Sequence, residues 1–289
     1  MSERGGRADP HTAVMRELLV RYLDAWTPVV LRSHRRAAYI EAGRGEFAAD
    51  ALRVFAEFAD KLAGHQLDVV LLRPVDGLEV PPGLSVRTVA DPAGLTVTGP
   101  TLAHIDVVAG GLDEASAWRL VGSVAPGRAR EVLLTLPTVP AGEVTGYRAR
   151  LRKAGLACVA AVELADDRGN ARLLLFATGD DKHLAIFKNE LWAADEFAGI
   201  RYRDPHDVDH TLIDISLNPQ LHPLRQALLR ELARRGSATV ADLQQHTLRE
   251  TIYRPADTLR MLMSAASAGT ISRDPAKGRL SPRTVLSCR

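Results

Sequence analysis

Four short stretches of this 289-residue chain hold residue types that could do chemistry. The first is Tyr39-Ile-Glu41-Ala-Gly43-Arg44-Gly45, in which an apolar run ends at an acid and passes into two glycines. An acid at a strand end, a glycine loop open to close backbone approach and the N–H groups of a following helix would together hold an anionic or polar ligand. The same two glycines also suit a strand-to-helix turn that binds nothing, and both readings stand. The second stretch is Leu72-Arg73-Pro74-Val75-Asp76, where Asp76 is the carboxylate nearest the end of a buried run. The third is His104-Ile-Asp106, inside the apolar segment 101–108. Asp106 is the candidate for orienting a substrate. His104 is expected on the opposite face of that strand, as a core or surface histidine rather than a base.

The fourth stretch, Asp204-Pro-His206-Asp207-Val-Asp209-His210, packs two His and three Asp together. No periodic element there would turn them to one face, so a solvated loop is expected rather than a metal site. Cys158 lies in an apolar run and reads as a buried structural thiol, and Cys288 is far from it in sequence. Neither a Walker loop, a Ser/His/Asp motif nor a paired-cysteine motif is present.

The elements that must position these groups follow from periodicity. Residues 12–31 carry an apolar helical stripe through Leu18, Leu19, Tyr22, Leu23 and Trp26, with Pro28 expected to bend or end the helix. Strands are predicted at 37–40, ending at the acid Glu41, and at 67–73, 84–89, 101–108 and 131–136. Helices are predicted from Phe47 to Leu62 and from Asp113 to about Val124. Such alternation implies a mainly parallel sheet. After a short basic helix at 147–153, residues 156–164 and 171–177 flank a polar turn and read as an antiparallel hairpin, followed by a helix from 181 to about 197. The expected fold is therefore α/β, a doubly wound, mainly parallel sheet closed by an antiparallel hairpin, the class I methyltransferase-like arrangement.

Residues 199–219 read as a polar linker. Beyond it come helices at 221–235, 239–246 and 255–268, then two short strands around a Pro275–Gly278 turn, in the order of a winged helix-turn-helix. The domain expectation is a disordered start at 1–11, an α/β body at 12–215 and a winged domain at 216–289.

Composition is that of a globular chain with a substantial core, at 46% hydrophobic and 25% charged residues. No run approaches the length of a membrane span, and nothing suggests a signal peptide or a disulfide framework, so a cytoplasmic location is expected. The formal net charge of +2 conceals an asymmetry. Residues 218–289 hold twelve Lys/Arg against five Asp/Glu, and the remainder holds 25 against 30. A basic tail domain suits nucleic acid, an acidic partner or an intramolecular dock.

From Met15 onward the chain resembles the three-Cys-motif partner (TcmP) family. The likeness is carried by Leu18-Leu-Val-Arg-Tyr-Leu-Asp-Ala-Trp-Thr-Pro28, Tyr39-Ile-Glu41, Leu173 to Thr178 with Lys188-Asn-Glu-Leu-Trp192, and Thr251-Ile-Tyr-Arg-Pro255. The resemblance implies a methyltransferase-like body, a winged C-terminal domain and a separate three-Cys-motif protein as partner. It also exposes departures. The family's Tyr-Ile-Asp and longer Gly-rich loop appear here as Glu41 and the shortened Ala42-Gly43-Arg44-Gly45. Its acid after the second strand is matched by Arg73, which cannot accept ribose hydroxyl protons. Its Asp-Pro-Phe-Gly appears as Asp106-Val-Val-Ala-Gly110.

Two functions are carried forward. In one, the cofactor site is degenerate, no cofactor is bound and the chain is a pseudoenzyme. Its winged domain then binds DNA or a protein partner through Arg249, Arg254 and Arg260 near the third helix and Arg273, Lys277, Arg279 and Arg283 on the wing. In the other, the chain is an active S-adenosylmethionine-dependent methyltransferase acting on nucleic acid or a partner protein. Glu41, Gly43, Gly45 and Asp76 would then hold the cofactor, and Asp106 would orient the acceptor.

Overall fold

A computed structural model describes residues 9–81, 84–92, 95–110, 112–127, 129–195, 199–207 and 209–288, the side chains of 109 and 110 excepted. Helix α1 spans Pro10–Ser33, and its start is set by Asp9, whose carboxylate accepts the His11 N–H, with Pro10 preorganised at the first turn. The helix runs on through Pro28 rather than ending there. Residues 9–11 thus belong to this capped helix, which corrects the disordered start expected for them; residues 1–8 lie outside the described ones.

The body then follows as β1 (Arg36–Ala42), α2 (Gly45–Glu57), α3 (Ala59–Leu62), β2 (Gln66–Leu71), β3 (Ser85–Thr88), β4 (Thr101–Asp106), α4 (Val107–Gly110), α5 (Glu114–Val124) and β5 (Arg130–Pro137). It is completed by α6 (Ala141–Lys153), β6 (Cys158–Ala165), β7 (Ala171–Thr178), α7 (Asp181–Ala193) and β8 (Arg201–Arg203). Strand order is β3-β2-β1-β4-β5-β7-β6-β8. Strands β1 to β5 are parallel, and β7 inserts antiparallel between β5 and β6. A parallel sheet whose order reverses between β1 and β4 and which closes with an antiparallel strand is the class I methyltransferase fold.

Three sequence expectations change. The fourth strand stops at Asp106, where the chain turns into α4, and the helix expected to reach 197 ends at Ala193. Residues 196–198 lie outside the described ones. The stretch read as a linker contains β8, which adds to β6, and Tyr202 bridges Ile213. Tyr202 is wholly buried there, and its apolar ring explains why the segment folds onto the sheet edge.

The C-terminal elements are α8 (His222–Arg235), β9 (Ser237–Thr239), α9 (Val240–Glu250), α10 (Pro255–Ser267), β10 (Ile271–Asp274) and β11 (Val285–Cys288). A reciprocal cap between Thr239 and Asp242 starts α9. The three strands pair in the order β10-β11-β9. On one face of the large sheet, α1, α2 and α7 build a core that continues without a break into Leu228, Leu243 and Leu262 of these helices. On the other face, α5 and α6 cover a second core. Among the described residues no helix is long and apolar enough to cross a membrane.

Candidate functional site

Strand alternation along β1 and β4 sets the site. Residues two apart share a face, so Tyr39 and Glu41 point the same way, as do Leu102, His104 and Asp106. Ala103 and Ile105 enter the core on the other face. This corrects the expectation that His104 and Asp106 face apart. Because β1 and β4 are neighbours, with Glu41 opposite His104 in register, the four polar groups gather under the loop that leaves β1.

Glu41 is buried and tied on two sides. The Tyr39 hydroxyl donates to its Oε2, and His104 Nδ1 lies 2.9 Å and 3.0 Å from its two oxygens. Burial opposes a charge on His104, but the Glu41 carboxylate, with Asp106 behind it, holds the imidazole above its ordinary value. Burial and the same carboxylate push the Tyr39 phenol far up, so it stays a donor. Phe47, in the first turn of α2, meets the His104 ring edge-on at 4.7 Å. Gly43 closes the cluster from above. A Cβ there would stand 2.6 Å from Glu41 Oε1, 3.4 Å from Asp106 Cβ and 3.5 Å from His104 Cε1.

A cleft of about 270 Å³ opens beside this cluster at the C-terminal ends of β1 and β2, lined by Glu41, Gly43, Arg44, Gly45 and Arg73 among others. Asp76 is not among them. It is exposed and lines a larger groove, about 740 Å³, between α2 and the segment 75–81. Asp106 is wholly buried beneath Gly43 rather than presented to the cleft.

Among the described residues the carboxylate lining this cleft is Glu41, within hydrogen-bond distance of His104, and the guanidinium residues Arg44 and Arg73 line it beside that carboxylate.

In the C-terminal unit, Arg249 makes a two-pronged pair with Asp181 of α7 at 2.9 Å and 2.7 Å. Arg254 caps α10 and bonds Asp257 at 3.0 Å and 2.9 Å and the Leu217 carbonyl at 2.7 Å. Arg260 bonds Asp257 at 2.7 Å and Asn218 at 2.8 Å. Arg273 donates to the Ala276 carbonyl, whereas Lys277, Arg279 and Arg283 are exposed on the β10–β11 connection and form no ion pair among the described residues. Asp204 accepts the His206 N–H in a local turn, and among the described residues no group of three His, Cys, Asp or Glu could hold a metal ion.

Sequence reasoning missed the partners. Tyr39 stands two residues before Glu41, and that spacing on one strand is the local signal that the two share a face. Lys188 carries no local signal of its role, yet it is wholly buried and fastens α7 to the end of α9 and the turn that follows it.

No family model matches this chain, and no curated protein does. Among solved structures it is similar to magnesium protoporphyrin IX methyltransferase from Synechocystis, solved with bound SAH, at 13% identity and a TM-score of 0.35, over 60% of this chain and 89% of that one. It is also similar to protein LPL1258 from Legionella pneumophila, at 13% identity and a TM-score of 0.38, over 60% and 86%. A human methyltransferase 10 domain containing protein matches at 13% identity and a TM-score of 0.34, over 56% and 83%.

Proposed function

We propose that this chain is a pseudoenzyme: a class I methyltransferase-fold body, not built to use S-adenosylmethionine, that carries a winged helix-turn-helix binding duplex DNA. The observation that carries the reading is the placement of cations on the β10–β11 hairpin. Lys277, Arg279 and Arg283 lie exposed there and form no ion pair among the described residues, whereas Asp181 holds Arg249 and Asp257 holds Arg254 and Arg260. Next to them α10 exposes Ala256, Arg260, Met263, Ser264 and Ser267 along one side, and Asp257 holds Arg260 in place. A helix face of this kind enters a major groove while hairpin cations meet phosphates.

Fluorescence anisotropy with a random-sequence duplex tests it. Binding with a dissociation constant of about 10⁻⁶ M at low salt, and a logarithmic salt slope of about −3 for three phosphate contacts, is the expected result. Absence of binding at low salt rejects the DNA role and leaves the hairpin to an acidic protein partner, the place a three-Cys-motif protein would take.

One observation favours a second reading. The cleft lies at the strand ends, beside the point where strand order reverses, with Glu41 in its wall. Calorimetric titration with S-adenosylmethionine and its demethylated product separates the two. Saturable heat that Glu41→Ala abolishes supports an active methyltransferase, and no heat supports the pseudoenzyme.

A further inference from the structure

The exposed stripe of α10 is chemically sparse. Arg260 is its one charged side chain and Met263 its one long apolar side chain, and Ala256, Ser264 and Ser267 fill the rest. Small residues at those positions let the helix backbone come close to whatever it meets. Met263 is 62% exposed, so its thioether side chain stands out from that surface.

Arg260 differs from the cations of the β10–β11 hairpin. Its Nη2 donates to Asp257 Oδ1 at 2.7 Å and its Nη1 to Asn218 Oδ1 at 2.8 Å, while the side chain remains 42% exposed. Asp257 is buried in turn, and Arg254 donates to both of its carboxylate oxygens. A guanidinium tied at two corners has little freedom left to lose on binding. Its remaining N–H groups keep a fixed direction, which suits a planar pair of acceptors. Lys277, Arg279 and Arg283 form no ion pair among the described residues and suit phosphate oxygens instead.

Met263 follows Arg260 by three residues, one turn further along the same face. On a helix in a major groove, side chains at such spacing meet successive base pairs. Their chemistries select different partners: arginine donates to O6 and N7 of guanine, and an apolar side chain packs on the 5-methyl group of thymine. We propose that α10 reads a G·C pair adjoining an A·T pair, with Arg260 on the guanine and Met263 on the thymine methyl. Asp257 and Asn218 are positioning residues that act through Arg260. This inference rests on the duplex-binding reading and deepens it: the hairpin cations supply affinity, and the α10 stripe supplies sequence preference.

The test begins with the full-length chain and selection from a randomised duplex pool. Recovered sites are expected to share a guanine beside a thymine. Each is then measured by anisotropy beside two altered duplexes. Uracil at the shared thymine removes only the methyl group, and 7-deazaguanine at the shared guanine removes only the N7 acceptor. Uracil is expected to weaken binding about fourfold, the worth of one buried methyl group. The loss expected for 7-deazaguanine is about tenfold. Met263→Ala should bind the thymine duplex no better than the uracil one, and Arg260→Ala should no longer distinguish guanine from 7-deazaguanine. Both positions are exposed, thermal melts verify folding, and the base replacements need no variant at all. Recovered sites without the shared step, or undiminished affinity for either altered duplex, overturn the proposal. Duplex binding with no enriched sequence also overturns it and leaves the duplex-binding reading standing. No binding to any duplex rejects that reading, and this inference with it.

Discussion

Lys188 Nζ, at the centre of α7, donates to the carbonyl oxygen of Thr251 at 2.5 Å, just beyond the end of α9. Its other two protons reach the carbonyls of Thr247 and Tyr253, both at 3.0 Å, so one wholly buried ammonium satisfies three backbone acceptors of the C-terminal unit. Trp192, one turn on, donates its indole N–H to the Ile252 carbonyl at 3.0 Å. Arg148 adds bonds to the Arg249 carbonyl and the Glu250 carboxylate at 2.6 Å and 2.8 Å. The turn that introduces α10 is therefore fixed to the body, and α10 can reach a ligand only together with it.

Replacing Lys188 by Met keeps the volume and removes a donor from three buried carbonyls, of which that of Thr247 still accepts from the Thr251 hydroxyl. A loss of about 3 kcal/mol is expected, read as a lower urea midpoint. A C-terminal unit that unfolds before the body would give two transitions where the parent gives one.

The same lysine sets a pH dependence. Burial pushes its ammonium down to about 7 from 10.5, with Asp204 pulling weakly the other way. Between those values the unfolded chain holds a proton that the folded chain has released. The contribution of Lys188 to stability therefore rises with pH from about 7 to about 10, and below 7 its burial cost is fully present. Urea melts across that range should show this rise in the parent and lose it in Lys188→Met.

Glu131 joins three elements. Its carboxylate accepts the Tyr22 hydroxyl and, at 3.2 Å, the Trp26 indole from α1, and His183 Nδ1 of α7 lies 2.6 Å away. The Glu131 carboxylate beside it holds His183 above its ordinary value, against the opposing effect of burial. Glu131→Gln is expected to destabilise the fold by about 2 kcal/mol, and NMR titration should find the His183 imidazole shifted back down.

Gly43→Ala places a methyl group where Glu41 Oε1 is pinned by Tyr39 and His104. The carboxylate must move off His104, at a cost of about 2 kcal/mol. Calorimetric melting should show a lower Tm, and the His104 imidazole should titrate lower than in the parent.

Charge reversal separates hairpin from helix in duplex binding. Arg279→Glu with Arg283→Glu is expected to weaken anisotropy-measured affinity by about tenfold or more and to flatten the salt slope by about 2. Arg249→Ala should leave the slope unchanged, because Asp181 occupies that guanidinium.

Local pattern in the sequence determined the class I body. Apolar runs at 37–40, 69–72, 101–105 and 132–134 are buried on both faces of their strands, and the polar turn at 165–170 forces the antiparallel hairpin. The order of the C-terminal helices and the position of the cleft beside Gly43 and Gly45 were also legible, since turn glycines and helical stripes are local signals. Tertiary structure alone decided which charges are spent. Whether Glu41 faces a ligand or His104 depends on β1 and β4 being neighbours, a pairing sixty residues apart that no local period encodes. The same holds for Arg249, whose partner Asp181 lies on another element, and for Lys188, whose three acceptors are backbone carbonyls with no side-chain signature at all. A sequence records which ionisable groups exist; only the packing of distant elements fixes which of them neutralise one another.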